Sequence, residues 1–251
     1  MNTREKTIDT IKVLENLISS TGGQRMPDLP ALRNNLSLLD DLLLQAVDGG
    51  DVESVTWMLE HKTASESAVN RALRESIVTC WEREIKEDKN ELEEFEAAKE
   101  IFYALLDSGA DPCADSYYSG NSYETSVHTA AMYGVNFALQ EFIDICGKDK
   151  LAKLCDNEGR GVISLAVCDN NLVGTYMLLR ALGGEAVRET DIFGRRPKDY
   201  AVCEGYKEMV ELLEDYGAYA AAHPEIVREA DNIKEHCRGR KNQEAGLGFE
   251  R

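Results

Sequence analysis

The sequence predicts an all-α solenoid of stacked helix pairs, and three observations carry that expectation. The segment Asp156-Asn157-Glu158-Gly159-Arg160 recurs 35 residues later as Asp191-Ile192-Phe193-Gly194-Arg195. At the same shift Ala166-Val167-Cys168 recurs as Ala201-Val202-Cys203, while Gly134, Asn170 and Gly205 fall at one point of the pattern. Tyr176-Met177-Leu178-Leu179 has its counterpart in Met209-Val210-Glu211-Leu212-Leu213. Self-similarity at a fixed period marks an array of one supersecondary unit. Here the unit reads as two short apolar-periodic helices joined by a turn near the Gly or Asn, followed by a glycine-bearing loop. One such pair cannot bury its own apolar face, so stacking is obligatory.

Each element of the unit has a physical reason. Gly159 and Gly194 stand where the loop needs a positive φ. Pro197 suits the first turn of a helix, where its missing N–H is not required. Thr125 can cap the corresponding helix start. The small Ala130-Ala131, Ala166 and Ala201 allow close packing of first helices, and the Leu and Met residues of the second helices fill the space between layers.

These residues resemble the ankyrin repeat, whose pattern opens Asp-x-x-Gly-x-Thr-Pro-Leu-His, continues Ala-Ala-x-x-Gly and ends in a Leu-Leu helix with Gly-Ala-Asp. The matches are Thr125-Ser126-Val127-His128-Thr129-Ala130-Ala131-Met132-Tyr133-Gly134, then Leu105-Leu106-Asp107-Ser108-Gly109-Ala110-Asp111-Pro112, and Arg196-Pro197 with Gly217-Ala218 in the unit from Asp191. Ala46-Val47-Asp48-Gly49-Gly50-Asp51-Val52-Glu53-Ser54-Val55 reads as an earlier, degenerate copy. The resemblance implies about five repeats over residues 41–219, between an N-terminal helical cap (residues 1–40) and a C-terminal capping helix with a flexible tail (residues 220–251).

Along the chain, Ile8, Ile11, Leu14, Leu17 and Ile18 form one helical stripe, ended by Thr21-Gly22-Gly23, and Leu32, Leu36, Leu39, Leu42 and Leu43 form another. The second unit departs from the pattern. Its first helix is expected over Ser67 to Trp81, and an acidic insertion near residues 81–95 replaces the short turn. Glu82, Glu84, Glu87, Asp88, Glu91, Glu93 and Glu94 there face Arg83, Lys86 and Lys89, a mixture that favours extended helix. It reads either as a solvated extension or as an acidic docking surface. Ile226, Val227, Ala230 and Ile233 place the capping helix over Pro224 to His236, with the tail beyond Cys237 expected to be disordered.

Composition narrows the function. The 251 residues are 43% hydrophobic and 29% charged with five prolines, enough for a folded core. No apolar run reaches the length of a membrane span, and Arg4, Glu5, Lys6 and Asp9 break any export signal. With 28 basic against 46 acidic side chains the net charge is −18. That field repels nucleic-acid backbones and anionic lipid, so neither nucleic acid nor membrane is expected as a partner. The basic tail Arg238, Arg240, Lys241 and Arg251 is diluted by Glu244 and Glu250 and reads as a solvated terminus.

Candidate chemistry is sparse. The seven cysteines hold no pair spaced by two to four residues, so no zinc knuckle or redox motif is expected; no cofactor or metal is called for. Free thiols in a reducing cytosol are the economical reading. Cys168 and Cys203 occupy one position of adjacent units, beyond bridging distance on packed helices. The resemblance places His128 at the family's structural histidine. Cys113 and His128 flank one long loop with nothing to orient them as a catalytic dyad.

The resemblance implies instead that a partner protein binds loop tips and the open side of first helices. Carried over residue by residue, those positions are Asn157, Glu158, Arg160 and Asp169, then Ile192, Phe193, Arg195 and Glu204, with Glu124, Met132 and Tyr133 from the His128 unit and Asp48 extending the row. The loop from Cys113 to Glu124 is four residues longer than the repeat pattern and carries Tyr117, Tyr118 and Tyr123 among Ser, Gly and Asn. Tyrosines in such loops cover area at low entropic cost. The alternative is that these aromatics, and the apolar pair Ile192-Phe193, fold back on the neighbouring loop.

The expected function is a protein–protein interaction module or adaptor in the cytoplasm. Repeat-length variation is similar to that of ankyrin proteins of intracellular bacteria, some of which are secreted effectors acting in a host cytosol. The rival readings are an enzyme with its site at a repeat–cap junction and charge-based masking of a basic partner protein. Neither the partner's identity nor the oligomeric state is fixed by these residues.

Overall fold

The computed structural model of the chain describes residues 36–84, 91–114, 116–118 and 122–247. The expectations at residues 1–35, at the middle of the acidic insertion and at the last four residues lie outside the described residues. Within them the chain is helical apart from one pair of three-residue strands. It divides into two compact units, Met1–Ser116 and Tyr117–Arg251.

The first unit holds two helix pairs. Helices α1 (Leu36–Asp48) and α2 (Val52–Glu60) form one, α3 (Glu66–Glu84) and α4 (Glu91–Asp107) the other. The α1–α2 turn reverses at Gly50, φ +66°, and Asp51 caps α2 by accepting from the Ser54 N–H at 3.2 Å and hydroxyl at 2.7 Å. First helix packs on first helix, and second on second. Leu43, Met58, Leu73, Ile77, Ile101, Phe102 and Leu105 are fully buried between them. The Asp40 carboxylate ties α1 to the head of α3, accepting from the Ser65 N–H at 2.8 Å and hydroxyl at 2.7 Å.

The described ends of the acidic insertion are helical, as its Glu/Lys mixture favours. Helix α3 overruns Trp81 to Glu84, because no glycine or proline stops it, and a second long helix begins at Glu91. Arg83 bonds to Glu94 between the two, so part of the charge run forms ion pairs between helices.

In the second unit, β1 (Ser116–Tyr118) and β2 (Ser122–Glu124) pair as a two-stranded sheet. The long tyrosine loop of the sequence reading is therefore a hairpin; Ser-Tyr-Tyr and Ser-Tyr-Glu carry the aromatic residues that strands favour. Three helix pairs follow: α5 (Ser126–Met132) with α6 (Asn136–Leu151), α7 (Val162–Cys168) with α8 (Leu172–Leu182), and α9 (Pro197–Glu204) with α10 (Lys207–Glu214). A 3-10 turn, Gly184–Arg188, follows α8. Helices α5, α7 and α9 pack in one row, and α6, α8 and α10 in another. Leu139, Phe142, Ala166, Val167, Leu178, Leu179, Met209 and Leu212 are fully buried.

The turns inside these pairs explain the recurring glycine position. Gly134 and Gly205 have φ of +70° and +76°, and Asn170, one of the few side chains that tolerate this region, has +54°. One residue on, Asn171 caps α8 at the Gly174 N–H (2.9 Å) and donates from Nδ2 to Asn136 Oδ1 of the previous pair (2.9 Å). Thr125 and His128 form a reciprocal capping box on α5: the Thr125 N–H donates to His128 Nδ1 at 3.2 Å, and the His128 N–H to Thr125 Oγ1 at 3.4 Å.

One expectation at the C-terminal end is corrected. Gly217-Ala218 follows the second helix of the last pair, where the sequence match has it, and stands in the first turn of helix α11 (Tyr216–Ala222). Asp215 starts that helix by accepting from both N–H groups, at 3.0 and 2.9 Å. Helix α12 (Pro224–Leu247) continues past His236 and Cys237, where disorder was expected. It lies on α6 and α8, and Lys241 meets the fully buried carboxylate of Glu141 on α6 at 2.8 Å. That anchor holds the last turns helical despite Gly239.

Candidate functional site

The Asp-x-x-Gly-Arg segments fold into two nearly identical turns. Asp156 Oδ1 accepts from the Glu158 and Arg160 N–H groups, both at 2.9 Å, and Oδ2 from Arg160 Nε at 2.7 Å. Asp191 Oδ1 accepts from the Phe193 and Arg195 N–H groups, both at 2.8 Å, and Oδ2 from Arg195 Nε at 2.7 Å. The second turn adds the Tyr200 hydroxyl of α9, which donates to Asp191 Oδ2 at 2.5 Å. Gly159 and Gly194 take φ of +73° and +78°, as expected.

Both carboxylates are buried. For Asp191 burial alone would raise the pKa, but the bonds from Tyr200, Arg195 and Phe193 outweigh it and hold the carboxyl well below its ordinary range. Tyr200 is pushed up, by burial and by donating to Asp191. Arg160 is likewise raised: burial opposes the charge, but the bond to Asp156 prevails.

The turns are joined side by side. The Ile192 N–H donates to the Glu158 carbonyl at 2.9 Å, and Arg195 reaches the Glu158 carboxylate at 3.5 Å. Ile192 and Phe193 nevertheless remain 67% and 66% exposed. The backbone folds onto the neighbouring turn while the apolar side chains stay outside. The Arg195 guanidinium lies 4.8 Å from the Phe193 ring and 4.7 Å from that of Tyr200, a stacked pair of cation–π contacts.

The structure thus brings Glu158, Arg160, Ile192, Phe193 and Arg195 into one surface, with Asn157 exposed on the same turn as Glu158. Asp169 and Glu204 are exposed at the C-terminal ends of α7 and α9. Partial burial raises the Asp169 pKa. Cys168, one residue before it, is raised by burial and feels Arg160 and Arg195. Met132 and Tyr133 are half-buried at the end of α5. Tyr117, Tyr118, Tyr123 and Glu124 lie on the hairpin, whose β2 packs on α5. Asp48, which the sequence reading adds to the row, ends α1 in the other unit.

Sequence reasoning missed the residues that build this surface: Asp156 and Asp191 as turn locks, and Tyr200 as the fourth donor to Asp191. The signal was present in the recurring Asp, two residues before the loop tip and four before the Arg it binds.

Gly159 tests the coupling of the turns. A Cβ there would stand 3.1 Å from the Ile192 backbone nitrogen and 3.1 Å from its Cγ2, at a φ that side chains rarely adopt. Gly159→Ala is expected to cost about 1–2 kcal/mol and to loosen the Glu158–Ile192 bond. Urea unfolding with amide exchange at Ile192 measures both; an unchanged midpoint and protection would refute the coupling.

Among the described residues no helix is long and apolar enough to cross a membrane, and no three or more His, Cys, Asp or Glu side chains are placed to hold a metal ion. All seven cysteines are free thiols. Neither a family model nor a curated protein matches the chain.

Proposed function

We propose that the chain is a non-enzymatic protein-interaction module, an ankyrin-type solenoid that presents its loop tips and first helices to a partner protein. One observation carries this reading: a carboxylate-locked turn displays Ile192 and Phe193 to solvent at 67% and 66% exposure, beside Arg195. An exposed apolar pair on a rigid support is costly to keep unless something covers it. An aromatic ring with a neighbouring arginine is the composition of binding hot spots. The same row of helix ends supplies Asp169 and Glu204 as polar rim.

The test is capture from the native cytosol with quantitative mass spectrometry, comparing the chain with its Tyr118→Ala, Phe193→Ala variant. Proteins that bind through this surface are expected to lose roughly tenfold or more in affinity, as hot-spot truncations of about 2 kcal/mol imply. The thermal midpoint should stay unchanged, since Phe193 contributes little to the core. Equal recovery of every captured protein by the variant removes the assignment.

A further inference from the structure

Helix α12 is attached to its unit differently from the helices beneath it. From Pro224 to Lys241 only Ala230 and Cys237 are buried, two turns apart on one face, with Ile226, Val227 and Ile233 half-buried. Helix α8 below it buries eight of its eleven residues. Hydrophobic stabilisation follows the apolar area covered, so these few side chains hold a long helix weakly.

Charge closes the seam at two points. Asp231 meets Arg180 of α8 at 2.7 Å, with the side chains 48% and 39% exposed. Further along, Lys241 meets Glu141 of α6 at 2.8 Å and Asp144 at 3.9 Å, and Arg240 approaches Glu141 at 3.9 Å. An exposed pair such as Asp231–Arg180 contributes little. The Glu141 carboxylate is fully buried, and its desolvation offsets much of its attraction to Lys241. Lifting α12 returns both charges to water, so neither the closed nor the open form has a large electrostatic advantage there.

A hinge stands at the other end of the helix. His223 leaves the helical region, at φ −121° and ψ 66°, and Pro224 follows it. Proline disfavours helix in the residue before it, so α11 and α12 stay separate whether or not α12 is docked. Gly239, two residues before Lys241, weakens the helix next to its far tie.

We propose that α12 is a hinged strap: it swings about His223–Pro224 away from α6 and α8 while the helix pairs stay folded, and so alternately masks and offers the Glu141 carboxylate. Ionic strength acts on the strap, because its ties are ion pairs.

In the full chain Cys237 reports the open form. Docked, its thiol is 1% exposed, and burial pushes it up to about 12, so it forms almost no reactive thiolate at neutral pH. Pulses of N-ethylmaleimide, read peptide by peptide by mass spectrometry, separate it from the other thiols. Amide exchange at Leu178 and Leu179, both at 0% exposure on α8, reports unfolding of the unit itself. The opening constant read from Cys237 is expected to exceed that of the two amides at least about tenfold. It should rise at least about threefold between low salt and about 1 M NaCl. Arg180→Met keeps a stem beside the Tyr176 ring and removes one tie; it should raise the constant about twofold or more and leave exchange at Leu178 and Leu179 unchanged. Labelling of Cys237 no faster than exchange at the two amides would mean that α12 opens only with the whole unit. Opening that ignores salt or Arg180→Met would mean that packing alone closes the seam. Either result overturns the proposal.

Discussion

Lys241→Met is expected to destabilise the second unit by about 2 kcal/mol, through an atom that the substitution does not touch. Glu141 on α6 is 0% exposed, and its Oε2 lies 2.8 Å from Lys241 Nζ, with Arg240 Nε 3.9 Å from Oε1. Removing the ammonium leaves a buried carboxylate inside the α6–α12 seam, facing the more distant arginine and the Cys237 thiol. Loss of a partner from a buried pair typically costs about 3–5 kcal/mol; Lys241 is 40% exposed, so water recovers part of that. Cys237 shares the seam, 1% exposed, with Sγ donating to the Phe137 carbonyl at 3.7 Å. Burial pushes its thiol up to about 12, and the Glu141 charge adds to the rise. Urea unfolding gives the stability, and amide exchange along α12 gives the location: protection should fall first around Cys237. The double variant Glu141→Leu, Lys241→Met should recover most of the loss, because a buried pair replaced by apolar side chains is often neutral. If the double variant is as unstable as the single one, the seam is held by packing, and the charge pair is incidental.

The helix pairs were legible because their determinants are local and periodic. The apolar spacing of 162–182 and 197–214, the Asn or Gly at each inner turn, Pro197 at a helix start and Thr125 as a cap each act within one turn of helix. Where the reading missed, the deciding partner lay far away in sequence. The C-terminal helix was ended too early because Glu141, a hundred residues upstream of Lys241, cannot be recognised as its anchor by spacing. The tyrosine hairpin was read as a loop because its two strands are three residues each, too short for alternation to register. Ile192 and Phe193 were placed at a loop tip correctly, but whether they turned inward depended on Asp191, Tyr200 and the Glu158 carbonyl acting together.

Asp191→Asn is expected to lower stability at neutral pH and to flatten its dependence on acid. The Asp191 carboxyl titrates below its unfolded value of about 4, because four donors bind its charged form. A depressed native pKa means the unfolded chain takes up the proton first. The contribution of this turn is therefore complete above pH about 4 and is lost as pH falls below that toward the native pKa. An amide can still accept at one oxygen, yet it carries no charge for Arg195 and presents an N–H₂ where Tyr200 or Arg195 donates. The variant should thus lie below the parent at pH 7, and the two stability curves should converge as acid protonates the parent. Asp169 and Glu189, both raised by burial, titrate in the opposite sense and are common to the two proteins, so they cancel in the difference. Tyr200→Phe keeps the carboxylate and removes one donor; it should show a smaller gap with the same pH window. Curves that stay parallel from pH 7 to 2 would mean that the turn is fixed by its backbone alone, and that the exposed Phe193 beside it owes its position to Gly194 rather than to the buried charge.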